Sequence, residues 1–220
     1  LLGAIATAAK IQSSTCANIV RTLAERGYLV KTEGQKGYVL GKQVECLLNT
    51  HPVQQQLIRV GNAELEKLTE VLNENTLIAV LQKNVRKVIC KKLSNQQVQA
   101  QTPDTKDIYD TSSGRMLLAM QHKDFLDVYL QTYGLPNTDV WPEIKTEKDF
   151  FMQIEKIRKT GYVLIEDSVQ VIGFAVPIYK GGKPMAALSI YMPAFRYSDE
   201  LRNSFIKLGL AAAERISVLL

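Results

Sequence analysis

The stretch Val171-Ile172-Gly173-Phe174-Ala175-Val176-Pro177-Ile178-Tyr179, followed by Lys180-Gly181-Gly182 and then Met185-Ala186-Ala187-Leu188-Ser189-Ile190-Tyr191-Met192, decides how the larger part of this chain folds. Two apolar runs flanking a glycine pair read as antiparallel strands, Val169 to Tyr179 and Met185 to Met192. Ile172, Phe174 and Val176 form the bulky phase of the first, and Ala186, Leu188, Ile190 and Met192 that of the second. Opposed residues point the same way, so the two bulky phases share one buried face. A two-residue Gly181-Gly182 turn pairs even with odd positions and breaks that match. A three-residue loop, Lys180-Gly181-Gly182, preserves it by pairing Tyr179 with Lys183, Gly173 with Ser189 and Val171 with Tyr191. The opposite face then carries Val171, Gly173, Ala175, Ala187 and Ser189, which leaves unusual room. Two occupants suit it: a packed helix, or a small ligand reaching the hydroxyls of Ser189 and Tyr191.

Working outward from this hairpin, Tyr162 to Glu166 reads as a third strand. It follows a helix that Thr146-Glu147-Lys148-Asp149 opens with capping-box spacing and Gly161 ends, with Phe150, Ile154 and Ile157 on its apolar face. Thr111-Ser112-Ser113-Gly114-Arg115 leads into the helical run Met116 to Met120. Free N–H groups at such a helix mouth hold a carboxylate or phosphate, or serve an ordinary Ser/Thr cap. Leu77 to Leu81 and Val85 to Leu93 read as a hairpin about Lys83-Asn84, and residues 94–110 as an irregular crossing. His51-Pro52 opens a long helix with Val53, Leu57, Val60, Leu68 and Val71 near its apolar face.

The front of the chain differs in charge. Residues 1–42 hold six Lys or Arg against two acids, whereas the remainder holds 21 basic and 20 acidic side chains, within a total of +5. That asymmetry points to a polyanion partner for the front segment alone. There, Leu2, Ile5 and Ala9 share a face of a short helix. Gln12-Ser13-Ser14-Thr15 carries cap chemistry for a second one, with Cys16, Ile19, Val20 and Leu23 as its apolar stripe and Ser14, Asn18, Arg21 and Glu25 opposite. Gly27 stops it. Tyr28 to Thr32 and Gly37 to Leu40 read as a two-stranded hairpin with a basic tip. Helix, turn, helix and hairpin make a winged helix-turn-helix, whose second helix enters the major groove while Lys31 and Lys36 sit near phosphates. The same pieces also suit a dimerisation arm.

At 220 residues, 46% hydrophobic and 22% charged, the chain has the composition of a globular protein of one large or two modest domains. No apolar run approaches the roughly 18 residues of a membrane span, and no secretory signal is evident. Three scattered cysteines (Cys16, Cys46, Cys90) exclude a complete disulfide framework and favour a reducing, cytoplasmic setting. Two histidines (His51, His122) leave little for a metal site or a Ser-His-Asp triad. His122 and Asp124 stand two residues apart, where helical side chains diverge. No catalysis, metal or cofactor is expected.

Ser14-Thr15-Cys16-Ala17-Asn18-Ile19-Val20-Arg21-Thr22-Leu23, Gly27-Tyr28-Leu29 and Gly37-Tyr38-Val39-Leu40-Gly41 resemble the DNA-binding half of IclR-family transcriptional regulators. Thr111 to Ala119, Ile157 to Tyr162, Gly173 to Ile178, Ala186 to Ile190, Pro193 to Arg196 and the Ala-rich helix from Ser198 resemble the family's second half in the same order. The resemblance covers nearly the whole chain. It implies an α+β protein: a winged helix-turn-helix over residues 1–42, a linker over 43–52, and a GAF-like antiparallel sheet domain with flanking helices over 53–220. It also implies a sequence-specific regulator that binds double-stranded DNA, assembles as a homodimer or homotetramer and responds to a small effector, most simply an organic acid. Its DNA-binding residues would be Ser13, Ser14, Thr15, Asn18, Arg21 and Lys36, and its effector-binding residues Ser112, Ser113, Val171, Gly173, Ser189 and Tyr191. The departures are Asn18 in place of the family's arginine, a start without the family's first helix, and Tyr191 where relatives often carry serine. The acidic segment before Val171 is also about two residues short, so neither Glu166 nor Asp167 is assigned. The alternative is a ligand sensor acting through protein contacts, with a front module that only dimerises.

Overall fold

The computed structural model describes residues 2–32, 37–44, 52–167 and 169–220. Contacts divide the chain into two compact units, Leu1–Gln55 and Gln56–Leu220.

In the first unit α1 (Leu2–Ala9) and α2 (Ser13–Glu25) precede an antiparallel ribbon of β1 (Leu29–Lys31) and β2 (Tyr38–Leu40). The core is small: Ala6, Cys16 and Val20 are buried, with Leu2, Ile11, Leu29 and Tyr38 packed around them. The apolar faces are accordingly narrower than the sequence suggests. Ile5 and Ala9 are exposed on α1, where Ala6 makes the contact, and Ile19 is 46% exposed on α2. Two short helices meet along a single i, i+4 row, here Cys16 and Val20, and a wider stripe has nothing to cover it. Gln12 holds the N-cap position of α2 but makes no side-chain cap bond, so the expected hydroxyl cap is absent. The expected wing tip, with Lys36, lies outside the described residues.

The second unit is built on a six-stranded antiparallel sheet ordered β5-β4-β3-β8-β7-β6. Its strands are β3 (Asn75–Gln82), β4 (Val85–Lys92), β5 (Thr105–Asp107), β6 (Val163–Glu166), β7 (Val171–Lys180) and β8 (Lys183–Pro193). Its helices are α3 (Pro52–Leu72), α4 (Ser112–Ala119), α5 (Lys123–Tyr133), α6 (Glu147–Thr160) and α7 (Asp199–Leu219). α3 and α7 cover one face, burying Leu57, Leu65 and Leu68 together with Phe205, Ala212 and Ile216 on Ile172, Phe174, Val176, Leu188, Ile190 and Met192. The other face carries α4, α5 and α6 through Leu117, Leu118, Leu126, Leu130, Phe150 and Ile154, packed near Ala175, Ala187 and Tyr191. The α3 row that meets the sheet runs through Leu57, Gly61, Leu65, Leu68 and Thr69, leaving Val71 off that line and 70% exposed. The helix caps match their sequence: Thr111 accepts from Gly114 N, and Thr146 and Asp149 form a complete capping box.

The β7–β8 register differs from the sequence-based one by two residues. Lys180 pairs with Lys183 across a two-residue Gly181-Gly182 turn, in which both glycines have positive φ (54° and 76°). This is the primed-turn geometry that suits a twisted hairpin. A bulge follows: Tyr179 faces Pro184 and Ile178 faces Ala186, so Met185 is the extra residue. The bulge restores the parity that the tight turn alone breaks. The bulky phases therefore still share one face, while Gly173 faces Tyr191 and Ala175 faces Ser189. The supposedly irregular crossing contains β5. Buried Asn75 pins the rest of that segment, donating to Ala100 O at 2.9 Å and accepting from Ser94 N at 2.8 Å.

One buried charge joins α3 to α7. Burial works against ionised Glu64, but hydrogen bonds from Lys67 (2.9 Å) and Arg215 (2.7 Å) outweigh it and hold the carboxyl below its ordinary 4.5. A lowered folded pKa means this contribution is complete above about pH 4.5 and is lost as pH falls through the folded value. Urea unfolding at about pH 6 and again at about pH 3.5 should show the advantage of the parent over Glu64→Gln shrinking with acidification.

Candidate functional site

Gly173 lacks a side chain because α4 arrives there: a Cβ built on it would lie 2.7 Å from Ser112 Oγ and 3.3 Å from Ser112 Cβ. Of the two occupants suggested by the small-residue face, a packed helix therefore takes the space directly over Gly173. Ser112 Oγ lies 3.3 Å from Ser189 Oγ, and Ser189 donates to Phe174 O at 2.7 Å. The helix mouth is thus pinned to the middle of the sheet through hydroxyls.

Beside that contact a half-open cavity of about 40 Å³ remains. Its wall brings together all six residues singled out in this half of the sequence: Ser112, Ser113, Val171, Gly173, Ser189 and Tyr191. Leu77 and Ile165 add apolar surface. Arg86, Gln101, Thr102, Lys106, Asp110, Thr111 and Asp167 complete the lining, and none of these was assigned to the site from the sequence. Of the two acids before β7, Asp167 lines the wall and exposed Glu166 does not.

Arg86 sets the electrostatics. It is 1% exposed, donates to Pro103 O at 2.9 Å and Thr102 Oγ1 at 2.7 Å, and leaves Nε without a partner. No carboxylate lies within ion-pairing distance of it among the described residues. Asp104, the nearest acid to influence it, is held by Lys91 at 2.9 Å on the surface. Burial lowers the pKa of the guanidinium, although Tyr191 and Asp104 oppose the shift. Tyr191 is pushed up to about 12, chiefly by burial and against the Arg86 charge. Lys106, the cross-strand partner of Arg86, is fully compensated, with Asp110 at 2.9 Å and Asp167 at 3.1 Å. Asp167 also accepts from Val169 N and Val171 N, shaping the turn into β7.

A buried guanidinium offered only neutral acceptors is costly unless an anion joins it. The cavity is accordingly chemically suited to a small anion. A sequence signal existed: Arg86 shares the inward phase of its strand with Val88. It was obscured because β4, Val85-Arg86-Lys87-Val88-Ile89-Cys90-Lys91-Lys92, has no regular apolar-basic alternation, and a bulge between Ile78 and Ala79 in the β3–β4 pairing puts Cys90 on the opposite side of the sheet from Val88. A wider groove of about 510 Å³ beside α5, lined by Val80, Leu117, Phe125 and Tyr133 among others, holds no such buried charge.

In the first unit, Ser13, Ser14, Thr15, Asn18 and Arg21 are all exposed on α2. Arg21 donates to Asn18 Oδ1 at 3.1 Å and lies 4.0 Å from Glu25. They form one polar surface at the start and outer side of the helix.

Residues 51–218 match the family described as bacterial transcriptional regulator IclR C-terminal. The HTH-type transcriptional regulator KdgR of Dickeya chrysanthemi is 22% identical over 214 residues, covering 94% of this chain and 69% of that protein. Among solved structures, the IclR protein of Thermotoga maritima superimposes with a TM-score of 0.65 at 21% identity, covering 98% of this chain and 89% of that one. An IclR homologue of Microbacterium hydrocarbonoxydans complexed with 4-hydroxybenzoate gives 0.67 at 23% identity, covering 100% and 90%. With its α+β architecture and a family match spanning the whole second unit but its last two residues, this chain belongs to the IclR family of bacterial transcriptional regulators.

Proposed function

We propose that the chain binds operator DNA through its first unit, and that a small organic acid in the cavity of its second unit modulates DNA affinity or assembly. The uncompensated guanidinium of Arg86 inside that cavity carries the effector half of this reading. Ser112, Ser113, Val171, Gly173, Ser189 and Tyr191 would surround the effector. In the first unit, α2 acts as the recognition helix of a winged helix-turn-helix. Ser13, Ser14, Thr15, Asn18 and Arg21 contact bases and nearby phosphates, and Lys36 contacts phosphate from the wing. A homodimer or homotetramer would present two such helices to paired half-sites, and the acid would favour one arrangement by a few kcal/mol at most, about 1–3.

Retention of fragmented genomic DNA at about 0.15 M salt, followed by sequencing, tests this. A pseudo-palindrome with half-sites about one helical turn apart is the expected product. On that site Arg21→Ala should bind about 10- to 100-fold more weakly with the second unit still folded. Unchanged affinity would remove α2 from the interface.

Exposed Val30, Val39 and Leu40 on the β1–β2 ribbon favour a second reading, in which the front unit serves protein contacts only. Retention of no DNA, or of DNA without sequence preference, would select it.

A further inference from the structure

The organic-acid reading says only that an anion enters the cavity. The arrangement of charge within it is more restrictive. Arg86 and Lys106 are directly paired across β4 and β5, so two cations stand side by side along one wall. Like charges so placed repel unless each finds an anion. Among the described residues, Lys106 has Asp110 and Asp167, whereas Arg86 has only the Pro103 carbonyl and the Thr102 hydroxyl. One end of the cavity therefore lacks a negative charge, and the other already has two carboxylates.

We propose that the effector is a short hydroxycarboxylate bearing one carboxylate, which sits on Arg86, and a hydroxyl that donates to Asp110 or Asp167. This rests on the reading of the cavity as the effector site. A second carboxylate on the ligand would face Asp110 and Asp167 and be repelled. An ammonium there would meet the Lys106 ammonium, which already lies 2.9 Å and 3.1 Å from those two acids. A hydroxyl adds no charge and donates to lone pairs that each carboxylate keeps beyond its bond to Lys106. The hydroxyls of Thr102, Thr111, Ser112, Ser113 and Tyr191 in the same lining both donate and accept, which suits further hydroxyl groups. Size points the same way: the space is small, about 40 Å³, well below the roughly 150 Å³ of a cavity that takes a benzene ring, which favours a short ligand.

Titration calorimetry on the full chain, with five probes, tests the assignment. Glycerate carries both groups. Propionate lacks the hydroxyls, malonate has a second carboxylate, serine has an ammonium in place of one hydroxyl, and glycerol lacks the carboxylate. Glycerate is expected to bind at least about tenfold more tightly than each of the others, a difference of about 1.4 kcal/mol. Arg86→Met should abolish that binding while melting no lower than the parent, since it removes a buried charge that has no counter-charge. Asp110→Asn, at a half-buried position, should narrow the gap between glycerate and malonate. Propionate, malonate or serine binding as well as glycerate would overturn the hydroxycarboxylate assignment and leave the organic-acid reading standing. Glycerol binding alone, acid binding that survives Arg86→Met, or no binding by any acid would overturn the carboxylate anchor as well.

Discussion

Gly114→Ala is expected to destabilise the second unit by about 4 kcal/mol, at the upper end of single-residue effects. Alanine is the better helix former by about 1 kcal/mol, so propensity alone predicts a small gain. Packing overrules it. A Cβ on Gly114 would lie 1.9 Å from Ile108 O and 2.7 Å from Thr111 Oγ1, the N-cap acceptor of the same helix. A backbone carbonyl cannot rotate away as a flexible side chain can, so α4 must shift or lose its cap. Because Ser112 on that first turn fills the space over Gly173, a shift of α4 also disturbs the cavity wall. Urea unfolding should show the midpoint falling at unchanged slope. A variant as stable as the parent would mean that α4 docks less closely than described.

Arg196→Ala should cost about 3–5 kcal/mol, because it strands a carboxylate that is almost wholly buried. Glu74 is 2% exposed, and both its oxygens accept from Arg196 at 2.7 Å. That bond, with a smaller opposing effect of burial, raises the pKa of Arg196. The same guanidinium donates to Val98 O at 2.7 Å, tying the segment between β4 and β5 to the end of β8. That segment carries Gln101 and Thr102 into the cavity and leads to Lys106. Loss of Arg196 should therefore loosen the cavity as well as lower stability. Removing both charges in Glu74→Leu/Arg196→Met should recover much of the stability, since the penalty comes from the unpaired charge and not from loss of the pair. A double variant no better than Arg196→Ala would show instead that the Val98 tether dominates.

IclR family membership connects these stability effects to regulation. The cavity lies at the start of α4 and takes lining residues from all six strands, so a ligand there touches elements on which the whole second unit depends. Coupling to the first unit requires only that the ligand fit two arrangements of the protein unequally.

Much of this protein was determined by its sequence alone, wherever the signal lies in consecutive residues. The capping box at Thr146 and Asp149, the cap at Thr111, and the alternation that sorts Ile172, Phe174 and Val176 from Val171, Gly173 and Ala175 are all local, and local chemistry fixes them. The alternation set Val171, Gly173, Ser189 and Tyr191 on one face, and the family resemblance added Ser112 and Ser113; all six line one cavity wall, because strand parity and helix starts survive an error in register. Only the tertiary structure decided the register itself. A tight turn and a bulge compensate one another, and parity cannot distinguish that pair from a longer loop. It also decided the site's charge. Arg86, the Lys106–Asp110 stretch and Asp167 come from three separate places in the chain, and an arginine becomes an uncompensated buried cation only when no carboxylate folds beside it. That is a property of the assembled neighbours, which no single stretch of sequence contains.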